Sequence, residues 1–290
     1  MSFRKAEKRK AKLRLAITGP AGSGKTYGAL LIAQGLGGKI AMLDTENGSG
    51  DLYGDKFDYD ICPITAPYDV RKYLQGIHDA EEASYDVLII DSLSHAWNGE
   101  GGLLDMQSKI TENSKSGNSY AAWRKVTPWQ NKLVEFILTS KCHIIATIRS
   151  KTEYMQVENE QGKKEIKKVG LAPVQREGMD YEFTTVFDLS INHMVTVSKD
   201  RTSLFDGEVF QLTKDTGKAL KEWLDNGVEI LSVKEIYDRY LAVYGNDTEK
   251  VQQVMKQLTG KETCKDFTQE DIKMLISELK GGDANDGNVA

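Results

Sequence analysis

The sequence is poor in the residues that staple small folds or bind metals in them. Three cysteines in 290 residues, Cys62, Cys142 and Cys264, lie far apart in apolar or helical stretches. No Cys/His spacing suits zinc, and the three read as reduced, buried thiols of a cytosolic protein. Four scattered histidines leave none to anchor a catalytic triad by itself. No apolar run is long enough to span a bilayer. The opening MSFRKAEKRKAKLRLAITGP is basic, but neither an apolar signal core nor a small-residue cleavage site follows it. A cytoplasmic protein with no membrane partner is therefore expected. A formal net charge of −5 argues against an overall polycation that binds nucleic acid by charge alone. Cations are instead concentrated. Residues 4 to 14 hold seven Lys or Arg against one Glu, and a second basic stretch runs from Arg149 to Lys168. No long-period repeat is present.

What is present alternates strand and helix. A basic N-terminal segment, residues 1–11, includes a short helix predicted over 3–11. Leu13–Thr18 reads as a strand, followed by a glycine-rich loop and a helix through YGALLIAQGL. Ile40–Leu43 and the weaker Phe57–Ile64 are the next strands, and Pro67–Ala83 has helical periodicity. YDVLIID, Tyr85–Asp91, is a buried strand by its continuous apolar run. Helices are expected over 94–110 and 121–140, with TENSKSGNSY between them, and Cys142–Ile148 is another buried strand. Two extended arms then surround Asn159-Glu160-Gln161-Gly162, a hairpin signal. Thr184–Leu189 and His193–Ser198 read as adjacent antiparallel strands, Val209–Leu212 offers a further one, and a helix follows over Thr216–Asp225. From Ser232 the chain turns helical, with Thr268 as N-cap and Asp271 three residues on. The expected organisation is an α/β core over 12–228, a small helical domain over 232–281 and a disordered tail over 282–290.

Gly19-Pro20-Ala21-Gly22-Ser23-Gly24-Lys25-Thr26 fits the P-loop pattern in full and sits between a strand and a helix. Its glycines let backbone N–H groups wrap phosphates, Lys25 reaches the β/γ oxygens and Thr26 can hold Mg²⁺. Tyr27, next in the chain, is grouped with these nucleotide contacts. A second acid must order the magnesium, and Asp91 ends the apolar strand VLII at the edge where ligands bind in such sheets. Glu46 ends the strand after the P-loop helix, so it belongs at the same edge. A carboxylate there can orient and polarise the water that attacks a γ-phosphate.

GPAGSGKT, MLDTENGSGDLY and VLIIDSLSHAW, in this order and spacing, resemble the ATPase core of RecA-type recombinases. The likeness is nearest to the compact RecA-like ATPases of bacteriophages, many described as single-strand annealing or recombination proteins. The resemblance covers roughly residues 12–225. It implies a RecA-like P-loop core, a mostly parallel sheet flanked by helices with antiparallel strands at one edge, using ATP and Mg²⁺. It implies Glu46 as catalytic base and Tyr53 packed on adenine, with Asp51 one position off the acid that contacts the base. Where the family commonly has a glutamine that senses the γ-phosphate, this chain has Thr147, a shorter group. VSKDRTSLF resembles the segment that reaches into the neighbouring subunit's ATP site. It implies Lys199 and Arg201 as cations that act across an interface in a homo-oligomer, filament or ring.

Single-stranded DNA binding needs cations for phosphates and planar groups for bases. Arg149, Lys151, Tyr154, Lys163, Lys164, Lys167 and Lys168 supply them, at a position resembling the family's second DNA-binding loop. Glu153, Glu158, Glu160 and Glu165 dilute that charge. The loop at Lys115–Asn118, with Tyr120, Trp123 and Arg124 after it, is the other candidate. Trp97, Trp123 and Trp129 read as core. The basic N-terminus serves as a phosphate-tracking arm, as a helix packed on an adjacent protomer, or only as a solvated face. QREGMDYEF, Gln175–Phe183, yields no chemistry from sequence. The first functional reading is a DNA-dependent ATPase that promotes pairing or annealing. Its expected compartment is the cytoplasm, that of the host if the chain is phage-encoded as the resemblance implies, with other phage or host recombination proteins as partners through the C-terminal helices. The alternative is an ATPase motor or loader acting on a protein partner. A GTPase would need an Asn-Lys-x-Asp signal that is missing. A kinase would want an arginine-rich lid and no Glu46.

Overall fold

The computed structural model describes residues 3, 5–115, 117–158, 164–229 and 231–283. Residues 11–225 form one unit. The residues up to Lys10 and those from Asn226 onward form another.

In the first unit, β1 (Arg14–Gly19) leads into α1 (Lys25–Leu36), and β2 (Ile40–Asp44) and β3 (Asp60–Pro63) follow. Then come α2 (Val70–Glu82), β4 (Val87–Asp91), α3 (Ser94–Asn98), α4 (Leu103–Glu112) and α5 (Ser119–Thr139). The unit closes with β5 (His143–Glu158), β6 (Lys164–Pro173), β7 (Thr185–Leu189), β8 (Met194–Asp200), β9 (Val209–Gln211) and α6 (Lys214–Asp225). The sheet order is β3-β2-β4-β5-β1-β7-β8-β9, with β6 paired to β5. Strands β3 through β7 along that order run parallel, whereas β8, β9 and β6 join antiparallel. This is a mostly parallel mixed α/β sheet of the P-loop NTPase kind.

Both sheet faces are covered, which is why the central strands are continuously apolar. In β4, Leu88 and Ile90 enter the core under α2, α4 and α5, and Val87 and Ile89 enter the core under α1 and α6. Helix α6 lies close on α1 because two glycines meet there. A Cβ at Gly35 would stand 2.1 Å from the Lys214 carbonyl oxygen, and one at Gly217 would stand 2.3 Å from that of Ile32.

The second unit has its own core, with Ile236 and Tyr240 of α7 (Val233–Val243), Val251 and Met255 of α8 (Thr248–Thr259), and Leu275 and Ile276 of α9 (Gln269–Asp283). Ser232 and Glu235 form a capping box on α7. Thr268 and Asp271 exchange the same pair of bonds ahead of α9.

Several expectations change. The described residues from 5 to 11 contain no helix. Lys8 and Lys10 run extended against Val228, through Lys10 N to Val228 O (3.1 Å) and Val228 N to Lys8 O (2.9 Å). Like charges four apart, Lys5 with Arg9 and Lys8 with Lys12, oppose a helix there. One of the seven N-terminal cations is no surface charge at all. Arg14 is buried, and its guanidinium donates to the carbonyls of Leu138 (3.1 Å), Ser140 and Cys142 (2.8 Å) around the end of α5. Burial lowers its pKa to about 10. The helix expected over 94–110 breaks into α3 and α4, where Gly101 takes φ 77°. Of the cysteines only Cys142 is buried. Cys62 is exposed on edge strand β3, and Cys264 is half-buried. Trp97, Trp123 and Trp129 are half-buried against the core, Trp97 stacked on Trp123 at 5.7 Å. Strand β5 does not stop at Ile148. It continues as one strand into the hairpin, with a bulge between Glu153 and Tyr154. The turn at 159–162 lies outside the described residues.

Candidate nucleotide site at the carboxyl edge of the sheet

The phosphate loop leaves β1 at Gly19 and enters α1 at Lys25. Gly22 (φ 77°) and Gly24 (φ 89°) take left-handed backbone angles that disfavour other residues. The loop is braced from beneath by the turn after β7, where His193 Nδ1 lies 3.0 Å from the Ser23 carbonyl oxygen. Ser23 Oγ is buried in the loop without a hydrogen-bond partner in the chain. Lys25 Nζ donates to the carbonyls of Gly19 (2.9 Å) and Pro20 (2.8 Å). Burial lowers its pKa, opposed by the charges of Asp91 and Glu46, and Arg149 adds to the lowering.

Asp91 ends β4 almost wholly buried. Thr26 Oγ1 donates to its Oδ2 at 2.6 Å, and Thr147 Oγ1 donates to its Oδ1. Burial pushes the Asp91 carboxyl up, and the two hydroxyls pull it back. Thr147, buried on β5, thus spends its hydroxyl on the acid of the neighbouring strand. These oxygens fit a magnesium site of the P-loop kind, in which one hydroxyl and one nearby acid suffice because the ion keeps several waters. Among the described residues no cluster of three or more His, Cys, Asp or Glu offers an all-protein cage. The open glycine cradle, the retracted Lys25 and the orphaned Ser23 Oγ fit a bound phosphate chain.

Glu46 follows β2 on a loop that a residue missed from the sequence holds in shape. Asp44, buried and in register with Asp91, accepts from the backbone N–H of Glu46 (2.6 Å), Gly48 (2.9 Å) and Gly50 (3.4 Å). Its signal was in the sequence, since an acid at a strand end followed by spaced glycines suits a side-chain-capped turn. Thr45 stitches β2 to β4. Its N–H donates to Asp91 O at 2.7 Å, and its hydroxyl accepts from Ser92 N at 2.8 Å. That hydroxyl also meets His95 Nδ1 at 2.6 Å, and the His95 ring stacks on Tyr68 at 4.6 Å. Burial lowers the His95 pKa and Arg149 adds to the lowering, against the charges of Glu46 and Asp44.

Arg149 grips Glu46 with both arms of its fork, Nε to Oε1 at 2.8 Å and Nη2 to Oε2. The pair is partly exposed, at 44% and 24% of the two side chains. Burial pushes the Glu46 carboxyl up, but the hydrogen bonds and charge of Arg149 outweigh it and hold the group below its ordinary value. Arg149, expected among the DNA-facing cations, has its side chain on Glu46. Its main chain is clamped too, N–H to Ser94 Oγ at 2.9 Å and carbonyl from Val174 N at 2.7 Å.

Tyr53, in a short 3₁₀ turn, packs against Tyr27 with ring centroids 5.6 Å apart, and Tyr27 meets Phe57 at 5.4 Å. They form an aromatic wall beside the first turn of α1. Lys199 and Arg201 share a seat on the short turn at Asp180–Tyr181, not on the phosphate loop of their own chain. Lys199 Nζ donates to the carbonyls of Asp180 (2.9 Å) and Tyr181 (2.6 Å), and Arg201 Nη2 donates to Tyr181 O (3.2 Å). QREGMDYEF therefore has a structural part. It seats these cations, while its Gln175 Nε2 donates to Leu93 O (3.2 Å) beside Asp91.

Lys151 is exposed at the hairpin base. Tyr154 pairs in register with Lys168, Met155 with Lys167 and Glu158 with Lys164. Lys163 lies outside the described residues. Between the hairpin base and the 175–180 turn opens a cavity of about 680 Å³, lined among others by Lys151, Leu171, Gln175, Arg176 and Asp180. The second candidate loop leads into α5, where Tyr120 is 87% exposed and Asn118 caps the helix.

No helix among the described residues is long and apolar enough to cross a membrane. No curated protein matches the chain. A family model described as an AAA domain matches residues 11–221, nearly the whole of the unit that carries this site. The chain therefore belongs to that AAA domain family, and its first unit is a nucleotide-binding domain of the P-loop ATPase type.

Proposed function

We propose that this protein is an ATP hydrolase whose turnover is coupled to single-stranded DNA, and that it serves annealing or recombination as a homo-oligomer. The observation that carries the reading is the path of β5. The strand bears Thr147 on Asp91 and Arg149 on Glu46, then runs on as the same strand, through one bulge, into the cationic hairpin. A polyanion on the hairpin would pull on the same strand that holds both acids of the site.

In this reading the phosphate-loop N–H groups and Lys25 bind the triphosphate, and Thr26 and Asp91 hold magnesium, which neutralises phosphate charge when bound. Glu46 Oε accepts a proton from the attacking water as the bond from the γ-phosphorus to the ADP oxygen breaks. Tyr53 and Tyr27 form the wall for the base. Lys199 and Arg201 act on the γ-phosphate of a neighbouring subunit, because neutral carbonyls are partners they can exchange for a phosphate at small loss.

ATP hydrolysis measured with and without single-stranded oligonucleotide, at low and moderate salt, tests this. Stimulation that fades with salt supports it. Hydrolysis indifferent to DNA, with no oligonucleotide bound, overturns it in favour of an ATPase that acts on a protein partner through its helical C-terminal unit.

A further inference from the structure

On the sheet face away from α1, the last residues of β5, β1 and β7 are roofed by the hairpin base and the 175–180 turn instead of by a helix. The register sets Ile148, Thr18 and Asp188 in one row across these three parallel strands. Two residues back, and so on the same face, Ala16 and Val186 continue the floor. Protein interiors leave few voids larger than a water. Here a cavity of about 680 Å³ lies over the floor, within the range of roughly 300–1,000 Å³ that small ligands occupy. Thr18 Oγ1 donates to Asp188 Oδ1, and Asp188 Oδ2 has no hydrogen-bond partner among the described residues. The walls near it are apolar, with Ile148, Leu171, Met179 and Leu189. Lys151 and Arg176 line the same cavity, and neither is in an ion pair among the described residues. Glu177 and Asp180 line it too, so charge alone would not hold a polyanion there. The selective contact must come from inside.

Apolar walls take the two faces of a flat ring, a lone carboxylate oxygen takes an N–H from its edge, and cations take a phosphate. A nucleotide offers all three, and pockets for extruded bases are built this way. We propose that the cavity takes one unstacked base of a single DNA strand, and that Asp188 selects cytosine or adenine over thymine. The proposal rests on the DNA-binding reading and adds a base preference to it. Cytosine and adenine carry an amino group where thymine carries the O4 acceptor. The amino group donates to Asp188 Oδ2, whereas O4 meets the carboxylate acceptor to acceptor. Lys151 pairs with Ala172 at the base of the hairpin, so a strand that follows the hairpin passes this cavity. That favours a nucleotide within a polymer over a free one.

The test is equilibrium binding of short labelled oligo(dC) and oligo(dT), at one salt concentration, to the full chain and to Asp188→Asn, Ala172→Leu and Arg176→Gln, with thermal melting to confirm that each variant folds. The wild type should bind oligo(dC) roughly tenfold tighter than oligo(dT), the worth of one hydrogen bond to a charged group. Asp188→Asn keeps an oxygen for Thr18 and turns an amide N–H₂ to the base, so the preference should vanish or reverse toward oligo(dT). Ala172→Leu, which fills part of the cavity, should bring oligo(dC) down toward oligo(dT). Arg176→Gln should weaken both by a common factor, because a phosphate contact carries no base identity. Equal affinities in the wild type, or a preference that Asp188→Asn and Ala172→Leu both leave unchanged, overturns the pocket while the DNA reading stands. Displacement of oligo(dC) by free dCMP at the same nucleotide concentration would assign the cavity to a free nucleotide and overturn the proposal. A wild-type chain that binds neither oligonucleotide overturns the DNA reading as well.

Discussion

At the scale of single residues, the site is a set of acids held at different protonation tendencies by their neighbours. Glu46 sits in a partly buried place that disfavours charge, and Arg149, with smaller help from His95 and Ser92, reverses that. Glu46→Gln is expected to keep ATP binding and to abolish turnover, as followed by phosphate release. Normal hydrolysis by that variant would remove Glu46 from its role as base. A second residue-scale prediction concerns stability. His143 is buried at the start of β5 and accepts a hydrogen bond from Leu13 N at 3.0 Å through Nδ1. Burial lowers its pKa from 6.5 to about 4. The neutral form is the folded form. Below pH 6.5 the unfolded chain takes a proton that the folded chain refuses, so stability is present above 6.5 and is lost as pH falls toward about 4. The loss is on the order of 3 kcal/mol at full depth. Urea titrations between pH 7 and pH 4 should show that decline. In His143→Asn, which keeps an acceptor at the Nδ1 position without titrating, the decline should be smaller by that amount.

At the scale of elements, two contacts govern how the site is carried. Helix α1, which bears Lys25 and Thr26, rests on α6 through Gly35 and Gly217, where any side chain would overlap a carbonyl oxygen. Gly217→Ala is expected to destabilise the core by about 1–3 kcal/mol and to lower the melting temperature by several degrees. Calorimetry on the full chain would check it, and an unchanged transition would mean the helices part without loss. The hairpin is the other element. If its arms track phosphates, replacing Lys151, Lys164, Lys167 and Lys168 with Gln should flatten the slope of log affinity against log salt by about 0.7 per lysine that touches a phosphate. An unchanged slope would move DNA binding elsewhere, first to Lys115 through Arg124. The helices, strands and caps were largely readable in sequence, because period, punctuation and capping residues are local. The break between α3 and α4 and the continuation of β5 past Ile148 were not. A glycine's left-handed turn and a neighbouring strand's hydrogen bonds decide those, and neither leaves a periodic trace.

At the scale of the whole molecule, Lys199 and Arg201 are seated on carbonyls of their own chain, and the proposed function has them act on a neighbouring subunit. Arg201→Ala should lower ATP turnover. Mixed with Lys25→Ala subunits, which lack the phosphate-loop lysine but keep Arg201, it should recover part of the activity. A mixture that never exceeds its components would place the pair within one subunit or make it structural.

The sequence by itself determined which residues stand at the carboxyl edge of the sheet. Gly19–Thr26, Glu46 and Asp91 each end or follow an apolar strand, and that placement is set by nearest neighbours along the chain. Tertiary structure alone decided which of them touch. Arg149 meets Glu46 across 103 positions and Thr147 meets Asp91 across 56. Arg14 goes inward instead of joining the basic arm, Lys199 of β8 lands on the carbonyls of Asp180 and Tyr181, and Arg201 just past β8 lands on that of Tyr181. Such pairs follow from the order and register of parallel strands. Burial of whole faces selects that order, and no local pattern of residues records it.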